Sequence, residues 1–206
     1  MASPEALYYD SIYHIFNRGV NRQNIFFEPI NYLYFLNLYT RFLTDYFDTY
    51  AYCLLKNHFH LLIRVKDENE ITAIFQKNET WKSNIKPPTP SKRISDFFNA
   101  YAKGINTRYE RTGSLFQHPF GRKIISSDTS LWAVIAYIHQ NPQKHCFVDD
   151  FREWPYSSYQ ELTCNGPSFI DKDVILDLFG GLEGYLKLNQ QWVGDAKEKW
   201  CLDDFY

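Results

Sequence analysis

Two apolar runs, Thr49 to Leu55 and Phe59 to Val65, are separated only by the polar pair Lys56-Asn57, and this spacing constrains the chain more than any other feature. Strand-length runs joined by two polar residues predict an antiparallel hairpin. The second run opens with His58-Phe59-His60. Strand side chains alternate with period two, so both imidazoles fall on one face, where such a pair can grip one divalent ion. An exposed surface strand can carry the same pair, so its meaning depends on what surrounds it.

The rest of the chain supplies partners for the hairpin. Ser11 to Arg18 is rich in β-branched and aromatic residues and predicts a strand, closed by Gly19 and a polar loop to Asn24. Glu28 to Tyr46 places Tyr32, Phe35, Leu36, Tyr39 and Leu43 at near-helical spacing. Asp67 to Asn84 is polar and carries no clear pattern, and Lys86-Pro87-Pro88-Thr89-Pro90 is a stiff extended breaker. Ile94 to Arg108 predicts a second helix, Leu115 to Ile125 an irregular strand interrupted by Pro119 and Gly121, and Asp128 to Asn141 a third helix ended by Pro142. Beyond Gln160, helices are expected over Asp171 to Phe179 and Gly184 to Gln191.

This order suits an α+β fold, a ferredoxin-like or RRM-like antiparallel four-stranded sheet with helices mainly on one face. Residues 1–160 are expected to form the main domain and 161–206 a mainly helical C-terminal extension of unknown role.

Composition narrows the class. A chain of 206 residues, 45% hydrophobic and 18% aromatic, can bury one substantial core. No apolar run approaches the roughly 18 residues of a membrane span, and the first ten residues lack signal-peptide character, so a cytoplasmic protein is expected. Cys53, Cys146, Cys164 and Cys201 form no CxxC pair, which argues against a structural zinc site or a disulfide framework. The net charge of −2 argues against a general polyanion binder. It hides an asymmetry, however: Lys82 to Lys123 carries a balance of +7, and Gln143 to Tyr206 one of −6. A phosphate backbone would favour the basic middle.

In the helix from Asp128, Leu131, Val134, Ile135 and Ile138 make a core face. Tyr137 and Asn141 lie one turn apart on a line to one side of it, where they can border a cleft or serve as a core-edge tyrosine and a C-cap.

NHFHLLI, RTGSLFQHPFGRKII and AYIHQNP follow one another in a characteristic order, with YHIFNRG before them and REWPYSSY after. Together they resemble the REP-associated tyrosine transposases, within the single-tyrosine HUH group, over about residues 8–160. The resemblance implies that His58 and His60 bind metal, that Tyr137 is the nucleophile and that Asn141 is a third ligand. It implies Mg²⁺ or Mn²⁺, of which manganese tolerates imidazoles better. The family commonly carries an acid where His139 stands, and the stretch before the second helix is longer here.

The implied reaction is cleavage and transfer of single-stranded or hairpin DNA through a 5′-phosphotyrosine. Such chemistry retains bond energy without ATP, and no GxxxxGK[ST] loop is present. Phosphate contacts are expected from Arg93, Lys103, Arg108, Arg111, Arg122 and Lys123, with Phe116 or Tyr109 as stacking surfaces. By resemblance the loop with Arg18, Asn21, Arg22 and Gln23 also meets DNA. His14 is expected to support the site or the core, and Trp154 with the PYSSY run to pack. Tyr8, Tyr9 and Tyr13 are alternative nucleophiles only if Tyr137 is buried. His118, His139 and His145 offer no second pair on one face. A monomer or homodimer without a membrane partner is expected. The alternative is a domesticated hairpin-DNA-binding protein that has lost strand transfer; a replication initiator or relaxase would need a further domain. The proposed site makes one geometric demand: the start of the second hairpin strand must lie against the tyrosine helix.

Overall fold

A computed structural model describes residues 6–77, 86–164 and 168–199. The polar stretch beyond residue 77, Lys82 of the basic segment and Cys201 lie outside them. The elements run β1 (Ile12–Arg18), α1 (Pro29–Leu43), β2 (Phe47–Leu55), β3 (His58–Val65), α2 (Glu68–Gln76), α3 (Pro90–Arg108), β4 (Gly121–Ile125) and α4 (Asp128–Lys144). After them come α5 (Tyr159–Thr163), α6 (Lys172–Leu178) and α7 (Leu182–Lys199). The strands form one antiparallel sheet in the order β2-β3-β1-β4. The expected α+β class and ferredoxin-like sheet are thus borne out.

The alternation of β3 sorts its side chains between two layers. Phe59 packs on Phe35 of α1, Phe98 of α3 and Phe116 at ring-centroid distances of 5.1, 5.4 and 6.0 Å. Around Phe35, Phe97 and Tyr101 meet it edge-on at 4.8 and 5.0 Å. Each such aromatic pair adds about 0.5–1.5 kcal/mol beyond the area it buries. His60 points to the opposite face, against Tyr137 of α4. Helices α1 and α3 therefore cover one face of the sheet, while α4 covers the face that carries the histidines.

Local chemistry sets the element ends. The Lys56 carbonyl in the hairpin turn accepts from the backbone N–H groups of Ile25 and Phe26 at 2.8 and 3.0 Å, and the Asn57 carbonyl from that of Gly19 at 2.9 Å. The turn is thereby tied to the loop after β1. Pro90 does not merely break the chain: it is the first residue of α3, capped by the Thr89 hydroxyl, a position where its missing N–H costs nothing. Helix α2 fills part of the polar stretch that carried no clear pattern, started by a capping box between Asp67 and Glu70.

Two expectations need correction. The strand read over Leu115 to Ile125 is confined to Gly121–Ile125; before it the chain is irregular, with a single bridge from Phe116 to Gly19. Pro142 does not end the third helix, which runs on to Lys144. An interior proline loses one backbone bond, but here it stands in the last turn, and the next N–H groups still find carbonyls. His145 donates to Asn141 at 3.0 Å and Phe147 to Pro142 at 2.9 Å.

The segment after α4 closes the sheet on the β2 side. Leu54 N–H donates to the Tyr156 carbonyl and Ser158 N–H to that of Tyr52, covering an otherwise open edge. The Trp154 indole donates to the Leu54 carbonyl at 2.9 Å, so Trp154 and the PYSSY run pack as expected. His139, fully buried on α4, bonds Ser158 Oγ at 2.7 Å and Tyr185 of α7 at 2.9 Å, tying the extension to the core.

Two outcomes follow from this packing. Gly121 stands opposite Phe16, and a Cβ there would lie 2.1 Å from the Phe16 ring. Gly121→Ala should therefore lower unfolding stability by about 1–3 kcal/mol in urea titration. Burial holds the His139 imidazole down to about 3 from its usual 6.5. Its contribution is present above about pH 6.5 and is lost as pH falls, because the unfolded chain takes up a proton that the folded chain refuses. Between pH 6 and pH 4, wild-type stability should fall more steeply than that of His139→Gln, by about 1.4 kcal/mol per pH unit at most.

Candidate functional site

His58 and His60 open β3 on the face covered by α4, with ring centroids 5.2 Å apart and planes nearly perpendicular. Both are buried, at 2% and 3% exposure. The pair is thus not on an exposed strand. His58 Nδ1 is 2.7 Å from Asn57 Oδ1 in the adjoining turn, and His60 Nδ1 is 2.9 Å from Nε2 of His14 on β1. Each ring is oriented through Nδ1, and His60 Nε2 is buried without a hydrogen-bond partner.

Burial, with the charge of Lys123 nearby, pushes the His14 pKa down to about 3. His60 is also held well below its usual value, first by burial and then by the neighbouring histidines and Arg18. Both rings are therefore neutral near pH 7, the state in which an imidazole can donate a lone pair.

Helix α4 brings the other half. Tyr137 is half-buried, its ring centroid 5.5 Å from that of His60 and 6.1 Å from that of His14, both edge-on. One turn on, Asn141 is fully buried; its Nδ2 donates to the Tyr137 carbonyl at 3.1 Å, while Oδ1 has no partner. Two further residues share this stripe because the helix passes through Pro142. The Lys144 ammonium lies 5.1 Å from the Tyr137 ring centroid, and the His145 ring 4.9 Å from that of His58. Asn141 is bracketed along the helix by Tyr137 and His145, which touch the two histidines of β3.

The fold therefore brings His58, His60, Tyr137 and Asn141 to one junction, together with His14. A buried amide oxygen left unpaired costs about 1–3 kcal/mol, and a cation would satisfy it along with His60 Nε2. These residues fit a divalent ion through two nitrogens and one neutral oxygen. Among the described residues no group of three His, Cys, Asp or Glu side chains is arranged to hold an ion. The third donor here is an amide, outside that set.

The basic residues divide by position. Arg18 is paired in register with His58, and Lys123 with His14, so both share the histidine face. Arg22 is exposed in the loop after β1, where Asn21 and Arg22 both adopt left-handed backbone angles, and Arg111 reaches Gln23 of that loop at 3.4 Å. Arg93 instead donates to the Phe42 carbonyl at 2.8 Å and stacks on its ring, Arg108 pairs with Glu28 at 2.9 Å, and Arg122 lies 3.9 Å over Phe120. Lys103 is exposed beside Arg41 and Thr107 in a groove between α1 and α3. Phe116, at 2% exposure, cannot stack on a base, a correction that follows from its place in the aromatic core; Tyr109 instead packs on Phe27. Tyr13 is fully buried.

The sequence reading missed Lys144 and His145. They stand seven and eight residues beyond Tyr137, a helical spacing visible once the helix is allowed through Pro142.

No family model matches the chain. Over 113 residues, 55% of the chain, it is 30% identical to a protein of Haemophilus influenzae provisionally named a REP-associated tyrosine transposase, of which it covers 59%. Over 175 residues it is 25% identical to an uncharacterized protein of Methanocaldococcus jannaschii, covering 16% of that longer chain. The chain thus spans less than two thirds of either curated relative. In fold it is similar to a solved REP-associated tyrosine transposase bound to a REP hairpin, with a TM-score of 0.61 and 15% identity over 79% of this chain and 85% of that one. No described helix is long and apolar enough to cross a membrane. The resemblance to the REP-associated tyrosine transposases that the motifs carry is borne out by a relative in sequence and by a neighbour in fold.

Proposed function

We propose that the chain is a metal-dependent endonuclease and strand transferase for single-stranded or hairpin DNA, acting through a 5′-phosphotyrosine on Tyr137. The meeting of Tyr137 with His60 across the interface of sheet and helix, at 5.5 Å between ring centroids, supports this reading most. Tyr137 Oη attacks phosphorus in line, the bond to the 3′-oxygen breaks, and that oxygen leaves as a 3′-hydroxyl. A second 3′-hydroxyl reverses the exchange and frees the tyrosine, so the energy of the phosphodiester is carried in the protein–DNA bond.

A divalent ion, Mg²⁺ or Mn²⁺, held by His58, His60 and Asn141 would polarise the phosphate and stabilise the departing oxygen. All three donors are uncharged, so none of them would offset the charge offered to the phosphate. Lys144 beside the Tyr137 ring places a further positive charge where the phosphate would arrive.

Hairpin or single-stranded DNA is the partner this arrangement suits. Arg18, Lys123 and Lys144 border the site, Arg22 and Arg111 extend the positive surface along the β1 loop, and Lys103 and Arg108 lie on the α1 and α3 side. Arg93 and Arg122, engaged with rings and with Phe42 and Ser91, contribute charge from braced positions. Tyr137 and the histidines meet within one chain, so the reading needs no second copy to complete the site.

Tyr137→Phe should abolish the covalent adduct formed on a single-stranded hairpin oligonucleotide with Mn²⁺, seen as a shifted band on a denaturing gel, while binding in a mobility-shift assay persists. An adduct that survives would assign the nucleophile elsewhere; no adduct with the wild type would make a hairpin-binding protein the better reading. Replacing His58 and His60 together by Ala should remove cleavage and Mn²⁺ binding in calorimetry; unchanged cleavage would overturn the metal assignment.

A further inference from the structure

His14 stands on β1, the strand paired on both sides within the sheet, opposite Leu62 on one neighbour and Lys123 on the other. Its ring is almost wholly buried, stacked on His60 at 5.1 Å with planes 27° apart, and flanked by Phe16 at 5.0 Å. Its Nε2 is 2.9 Å from His60 Nδ1. Two neutral imidazoles can share that contact in only two ways, because one hydrogen must lie between two nitrogens. If His14 donates, His60 Nδ1 is the acceptor and His60 carries its hydrogen on Nε2, which then has no lone pair in the ring plane. If His60 donates from Nδ1, its Nε2 presents a lone pair and His14 must carry its own hydrogen on Nδ1.

We infer that His14 is a positioning residue, which accepts from His60 Nδ1 and so holds His60 in the tautomer whose Nε2 can bind a divalent ion. The inference rests on the metal reading proposed above and deepens it. Three observations converge on it. The hydrogen bond is buried; of the two outer nitrogens left without a protein partner, His14 Nδ1 and His60 Nε2, that of His60 belongs to the ring beside His58 and Tyr137; and the rings are clamped in place by a central strand and by Tyr137. A ligand imidazole is commonly oriented by a carboxylate or a carbonyl. A neutral histidine in that place orients the ring without adding a negative charge that would repel phosphate.

The test uses the full chain with His60 observed by long-range ¹H–¹⁵N correlation NMR, and Mn²⁺ binding followed by calorimetry. In the metal-free wild type His60 should carry its hydrogen on Nδ1. His14→Leu, which has no acceptor, should shift His60 toward the Nε2–H form and weaken Mn²⁺ binding by about 10- to 100-fold. His14→Gln, whose side-chain oxygen can accept in place of Nε2, should keep the tautomer and bind Mn²⁺ within a few-fold of wild type. Thermal unfolding of each variant checks that the fold is retained. Should His14→Leu fail to fold, His14→Gln and the wild-type tautomer decide alone. A wild-type His60 found as Nε2–H, or equal weakening in both variants, overturns the role assigned to His14. If the wild type binds no Mn²⁺, or binds it equally after His60→Ala, the metal reading fails instead, and the His60 tautomer still reports whether His14 accepts its hydrogen.

Discussion

Strand β3 is covered on both faces, and the rest of the molecule is arranged around that burial. Its odd-numbered side chains, Phe59 first among them, enter the aromatic layer of α1 and α3, and its even-numbered ones face α4. Polar groups can occupy such a buried face only if they are paired, because an unpaired donor or acceptor away from water is costly. His58 finds Asn57, His60 finds His14, and Asn141 pairs one of its two groups with the Tyr137 carbonyl. His60 Nε2 and Asn141 Oδ1 are left without a partner at the junction where chemistry is proposed.

That junction depends on a rigid frame rather than on the residues that form it. The hairpin turn is held by backbone bonds from Gly19, Ile25 and Phe26, which set where β3 begins and so where His58 stands. On the other side, α4 is anchored through His139 to Ser158 and Tyr185. The same helix thus presents Tyr137 and Asn141 to the sheet and His139 to the extension. A buried neutral histidine with two hydrogen-bonding partners suits this interior, where an unpaired charge would be costly.

Much of the fold was legible because its signals are local. The hairpin around Lys56-Asn57, the strand before Gly19 and the aromatic spacing of α1 and α3 each follow from residues a few positions apart. Errors arose where tertiary context overruled a local rule. Pro142 reads as a helix terminus, yet packing of α4 against β2 and β3 carries the helix one residue pair further, and Lys144 and His145 come into the site with it. Phe116 reads as a possible base-stacking residue, yet Phe59, Phe98 and Tyr101 enclose it. Arg93 and Arg122, expected to contact phosphate, are braced by aromatic rings, which their sequence neighbours alone do not show.

The sequence by itself determined that His58 and His60 share a face, since strand period requires it, and that Tyr137 and Asn141 share a helical stripe, since 3.6 residues make a turn. It also carried the resemblance through the order of its motifs. Only the tertiary structure decided that the two faces meet, that they are buried, and that His14 stands behind His60. Those facts depend on contacts between residues 44 to 77 positions apart, Phe16 with His60, His14 with His60 and His60 with Tyr137, and no local periodicity encodes which distant elements pack together.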